Sequence, residues 1–150
     1  MKQNKPLRIL SLIFAVIVMA VIFILSSQPG EASDKTSMSF AALFFSGDIE
    51  FALNALIRKF AHMAEYAAFA VPVWLFLSTF DLKKLRCDLT ALGTAALYAG
   101  SDEIHQLFVE GRSGQFTDVL TDSFGALLGI LFINLVLYLV QKYKDKKRRS

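Results

Sequence analysis

Residues 116–140 read FTDVLTDSFGALLGILFINLVLYLV, and between Asp122 and Lys142 no side chain is charged. About 20 apolar residues in a helix cross the roughly 30 Å of a bilayer core. Inside that core every backbone amide needs a partner from its own segment, so an open chain there is helical. Three further apolar blocks lie upstream, at about residues 9–26, 59–80 and 89–109. The whole chain follows the same pattern, with 55% hydrophobic and only 19% charged residues in 150, against about 25% charged in soluble domains. These apolar residues come in long blocks and not in short alternating runs, which excludes a water-soluble fold and disorder. We read an all-α membrane protein with four transmembrane helices, forming one domain over residues 1–150.

The first block follows Lys2, Lys5 and Arg8 and ends in the turn-prone Ser26-Ser27-Gln28-Pro29-Gly30. It exceeds the ~7–15 residues of a signal-peptide core, so we read a retained anchor and not a cleaved signal. Basic residues set the orientation. Lys2, Lys5 and Arg8, then Lys83, Lys84 and Arg86, then six in the tail fall on one side, twelve in all. Four (Lys35, Arg58, Lys59 and Arg112) fall on the other. By the positive-inside rule both termini lie inside, and the first and third connections face outward. The basic excess therefore reflects topology, with a tail that touches anionic lipid, and not nucleic-acid binding. Cys87 is the single cysteine, which excludes an internal disulfide; we place it in an inside loop.

The first connection reads as loop from Ser26 to Ser39. The more apolar Phe40–Phe45 and Phe51–Ile57 flank Ser46-Gly47-Asp48, where Asp48 suits the N-cap of a helix that lies in the interface between spans one and two before running into the second span. Pro72 is expected to kink the second span.

Ionisable residues within spans are costly, so where they occur is informative. Arg58, Lys59, His62 and Glu65 open span two; Asp102, Glu103 and His105 close span three; Asp118 and Asp122 open span four. In the orientation above all nine share the outer half of the bundle. At 100° per residue Arg58, His62 and Glu65 share one helix face, as do Asp102, His105 and Gln106, while Glu103 points elsewhere. Asp118 and Asp122 continue into Gly125 and Gly129, a small-xxx-small stripe that admits another backbone. Arg112, in the short loop Gly111-Arg112-Ser113-Gly114, stands over the cluster.

The ordered set Arg58-Lys59-x-x-His62-x-x-Glu65-Tyr66, Tyr98-x-x-Ser101-Asp102-Glu103-x-His105-Gln106, Arg112 and Asp118-x-x-x-Asp122-x-x-Gly125 resembles the VanZ-like family. The resemblance spans about Phe51 to Gly129, and Ser26-Ser27-Gln28-Pro29 also fits it. It implies a small multi-span protein of the bacterial cytoplasmic membrane. The founding member is associated with low-level resistance to the glycopeptide teicoplanin, so the resemblance implies a cell-envelope role. It supplies no biochemical activity.

The residues themselves admit several functions. Arg58, Lys59 and Arg112 suit an anionic group, with Tyr66, Glu103, Gln106, Asp118 and Asp122 as further ligand contacts; the partner would be a membrane lipid or a lipid-linked envelope component. As an enzyme, His62 or His105 would be general base or acid, oriented by Glu65 or Asp102, with the cations clamping phosphate. We expect His62 and Glu65 to face His105 and Asp102 across a pocket. His62, His105, Asp118 and Asp122 also make an N2O2 set compatible with a divalent metal, although no motif fixes its geometry. As a scaffold, the same charges would pair across helices and bind nothing. Proton or ion transport lacks a relay continuing through the apolar inner half. No cofactor and no oligomeric state follow from the sequence.

Overall fold

The computed structural model describes residues 4–42 and 48–149, with the backbone alone at 34, 36, 37, 40–42 and 48–55. The described residues form five helices and no strand: α1 (Lys5–Ser26), α2 (Gly30–Ala42), α3 (Asp48–Ser78), α4 (Lys84–Gln106) and α5 (Phe116–Arg149). Three of these are long and apolar enough to cross a membrane, over Lys5–Ser26, Leu56–Ser78 and Phe116–Arg149. The chain is thus an all-helical, multi-pass membrane protein. The fourth expected span is α4, with 23 residues. Its length would suffice, but Thr90, Gly93, Thr94, Gly100, Ser101 and Asp102 dilute its apolar character.

Residues 26–39 are not a loop, because α2 occupies Gly30–Ala42. Pro29 precedes its first residue, and Ala32 and Ser33 both donate backbone hydrogen bonds to the Pro29 carbonyl. α3 starts at Asp48 and runs as one helix through residues 51–57 and Pro72 to Ser78, so the helix expected to begin there does continue into the second span. The expectations for residues 43–47 lie outside the described residues.

α3 touches each of the other four helices, whereas α1 and α5 lie on opposite sides of the α3–α4 pair. Each of the four longer helices, α1, α3, α4 and α5, buries one narrow stripe. On α4 it is Cys87, Ala91, Ala95, Ala99 and then Asp102, spaced so that small side chains recur every turn. Cys87 therefore sits in the first turns of a helix and not in a loop, and is 2% exposed. On α3 the buried stripe is Tyr66, Phe69, Ala70, Val73 and Trp74. Against α3, α5 offers Gly125 and Gly129, where a Cβ would run into the backbone of Met63 and Ala67 respectively. The small-xxx-small stripe thus serves its expected purpose, letting α5 lie directly on the α3 backbone. Remaining faces are apolar and exposed, including Leu10, Phe14 and Ile17 on α1 and Leu131, Phe132 and Leu135 on α5. In water such faces would be a liability; in hydrocarbon they are the solvated surface.

Candidate functional site

The start of α3, the end of α4 and the start of α5 meet at one end of the bundle. Between them is a cleft of about 200 Å³ lined by Arg58, Lys59 and His62 from α3, Gln106 from α4, Gly111–Ser113 and Gln115 from the connection, and Asp118, Thr121 and Asp122 from α5. Cations supply its rim: Lys59 reaches Asp118 at 4.0 Å, both partly exposed. Its floor is different. Asp122 is 1% exposed, and neither of its carboxylate oxygens has a hydrogen-bond partner within the protein. The nearest candidate is His62, whose Nδ1 is 4.0 Å from Asp122 Oδ2 and 3.9 Å from Glu65 Oε2, beyond hydrogen-bond length for both.

Tyr66 extends this unsatisfied floor, because it is fully buried and its hydroxyl also lacks a partner. The tyrosine beside it is satisfied: Tyr98 donates to the Met19 carbonyl of α1 at 2.7 Å, with its ring 6.0 Å from that of Tyr66. Asp102 links floor and wall. One of its oxygens accepts from Ser26 Oγ at 2.7 Å and Gln106 Nε2 at 3.1 Å, while the other, Oδ1, is buried without a partner.

His105 departs from the expected arrangement. Its ring stacks on Phe23 of α1 with centroids 4.5 Å apart, and its Nε2 lies 3.1 Å from Ser27 Oγ. The two histidines therefore serve different neighbours, His62 the α3–α5 cleft and His105 the α1 wall, and they do not face one another. Among the described residues no three His, Cys, Asp or Glu side chains gather closely enough to hold a metal ion. The N2O2 set of His62, His105, Asp118 and Asp122 is accordingly not assembled.

Glu103, set 100° away from Asp102, addresses another neighbour, accepting at 2.7 Å from the backbone N–H of Gln115 at the start of α5. A carboxylate there satisfies an amide that the helix itself leaves open. Arg112 is fastened from the α1 side, donating through Nε to the Gln28 carbonyl at 3.2 Å and through a terminal nitrogen to Leu25 at 3.4 Å. Alongside, Gly30 N–H donates to the Glu110 carbonyl at 3.0 Å. Gly111 adopts φ +72°, a conformation that favours glycine. A Cβ on Gly30 would meet its carbonyl.

Of the sequence-derived site residues, Arg58, Lys59, His62, Gln106, Arg112, Asp118 and Asp122 line the cleft. Glu65, Tyr66 and Asp102 lie beneath or beside it. Glu103 and His105 hold neighbouring elements. Sequence reasoning took Ser26 and Ser27 as turn residues that also fit the family pattern and not as site residues, yet they are the partners of Asp102 and His105. Two hydroxyls closing an apolar run were the available signal.

A family model described as VanZ/LLP1 matches residues 11–138. The chain belongs to the VanZ-like family. Comparison with curated proteins and with solved structures gives no significant match.

Proposed function

We propose that this VanZ-like protein binds the phosphate-bearing headgroup of a cell-envelope lipid in the cleft between α3 and α5. One observation carries the reading: a small cleft, rimmed by Arg58, Lys59 and Arg112, opens at the end of apolar helices. Guanidinium groups suit phosphate because their forked N–H donors match its oxygens. Phe108 and Phe116 flank the connection at the cleft and are 84% and 76% exposed, as expected of side chains resting among acyl chains. At about 200 Å³, the cleft is below the roughly 300–1,000 Å³ that encloses a drug-sized ligand. A role in teicoplanin tolerance would then run through an envelope lipid and not through capture of the antibiotic.

The accompanying topology has four spans, α4 being the third, with both termini inside the bacterial cytoplasmic membrane and the cleft outside. Cys87 is too buried to report on it, so the topology test uses exposed positions. In intact cells an impermeant thiol reagent should label Ser113→Cys and spare Lys83→Cys; the reverse pattern would invert the orientation.

For the ligand, the test is native mass spectrometry of protein extracted in mild detergent. Arg58→Gln combined with Lys59→Gln should lower retained phospholipid about tenfold at matched abundance and matched Tm. Equal retention would sink the reading.

A second reading is favoured by His62 alone. Its Nδ1 is buried facing Glu65 and Asp122, while the side chain as a whole is 23% exposed and lines the cleft. A ring with one nitrogen turned to carboxylates and the other side towards a ligand suits a general base, so this reading makes the protein a headgroup-modifying enzyme. Phosphate or alcohol release from bound lipid, abolished in His62→Gln, would distinguish turnover from binding.

A further inference from the structure

The cleft has two chemically opposite layers. Its rim is cationic, while Asp122 at its floor carries two buried oxygens that no donor reaches. Around Asp122 lie further buried atoms without a hydrogen bond: Glu65 Oε2, Asp102 Oδ1, the Tyr66 hydroxyl and His62 Nδ1. Asp122, Asp102 and Tyr66 are each more than nine-tenths buried. Groups of this kind are satisfied in nearly all folded proteins, so their concentration at one point asks for a bound donor. A metal ion does not fit, since no three such side chains come together at metal spacing among the described residues. A bare phosphate does not fit either, because it would bring further negative charge to a floor that already holds the carboxyl groups of Glu65, Asp102 and Asp122. An ammonium group fits. It carries a charge opposite to that of the carboxylates and three N–H donors, and such charge-assisted hydrogen bonds are the strong ones.

We propose that the ligand is zwitterionic: a phosphate ester bearing a primary ammonium, its phosphate at the Arg58 and Arg112 rim and its ammonium on Asp122. This deepens the headgroup reading and rests on it. The requirement is for N–H donors and not for positive charge alone. A trimethylammonium has the same charge but no donor, and it would leave both Asp122 oxygens unsatisfied. A headgroup ending in a carboxylate would set like charges against each other. A glycerol headgroup offers hydroxyl donors without the charge.

The experiment titrates the purified full-length chain in detergent with dihexanoyl-phosphatidylethanolamine, its N-methyl and N,N-dimethyl derivatives, dihexanoyl-phosphatidylcholine and dihexanoyl-phosphatidylglycerol. O-phosphoethanolamine and O-phosphocholine are run in parallel. Affinity should fall stepwise with each methyl, by at least tenfold from ethanolamine to choline, and phosphatidylglycerol should bind more weakly than phosphatidylethanolamine. The same order among the free headgroups would show that the phosphate–amine unit suffices; the order among lipids only would make the lipid itself the ligand. In Asp122→Asn the ethanolamine and choline lipids should bind within twofold of each other. The wild-type series decides the matter even if that variant fails to fold. Equal binding of all five lipids, or a preference for phosphatidylglycerol, would overturn the ammonium assignment and leave the headgroup reading standing. Absence of binding by every lipid and headgroup would overturn both.

Discussion

The protein holds two carboxylate centres at opposite ends of the same helices, one partly and one fully buried, and they are built in opposite ways. At the end away from the cleft, Asp88 accepts from Trp74 Nε1 at 2.6 Å, Asn134 Nδ2 at 3.0 Å and Lys84 Nζ at 2.7 Å, so α3, α4 and α5 are tied through one side chain. Beside it Arg8 of α1 donates to the hydroxyl and carbonyl of Thr79 and lies 4.1 Å over the Phe80 ring. Both oxygens of Asp88 are used. At the cleft end, neither oxygen of Asp122 is used, although it is the more deeply buried of the two. A charge network built for stability would resemble the first centre. A site that waits for a ligand resembles the second, because what is left unmade in the protein is left for something else to make.

The contrast can be broken or sharpened by mutation. The largest effect is expected where the two ends are joined, at the glycine stripe. Gly125→Val would drive a side chain into the Met63 backbone, costing about 3 kcal/mol, and thermal unfolding in detergent should show the bundle losing both ends together. Next comes Asp88→Ala, which strands the Trp74 indole and the Asn134 amide. A loss of about 2 kcal/mol is expected. Because Trp74 is the single tryptophan, its emission should shift, and an unshifted spectrum at unchanged Tm would deny Asp88 its structural role. Asp122→Asn removes no hydrogen bond that the protein makes. Stability should hold or rise, by up to about 1 kcal/mol, with Trp74 emission unchanged. A fall as large as that of Asp88→Ala would erase the distinction between the two centres. The smallest effect belongs to Lys84→Ala, whose ion pair with Asp88 is 65% exposed on the lysine side. A change within about 0.5 kcal/mol is expected by the same unfolding measurement.

Much of this was legible in the sequence because helices in a membrane obey simple spacing. The apolar blocks gave the long helices, and the i, i+4 repeat of Gly125 and Gly129 gave a close backbone approach on α5, although not that α3 would make it. The 100° offset of Glu103 from Asp102 also foretold separate partners. Periodicity failed where only tertiary partners decide. His105 shares a face with Asp102, and that face turns to α1, where Ser26, Ser27 and Phe23 receive it. Spacing on one helix cannot say which neighbour covers a face. α2 was missed because its Ser, Asp and Lys composition reads as loop, and because its start depends on Pro29 and on the contact of Gly30 with the far end of the chain. Asp88 was not singled out, because its partner Asn134 lies 46 positions away.

The fastening of Arg112 to the Leu25 and Gln28 carbonyls, with Gly30 on Glu110, also bears on how the molecule is made. α1 leaves the ribosome before α3, α4 and α5, and it ends in acceptors whose donor is encoded more than eighty residues later. Until that arginine has been synthesised and its loop has formed, the carbonyls, Asp102 and the cleft have no common frame. Insertion of α1 is therefore an early event, and closure of the site is among the last. A chain released before α5 would carry most of the charged residues in the membrane without the helix that gathers them, a form that quality-control proteases are suited to remove.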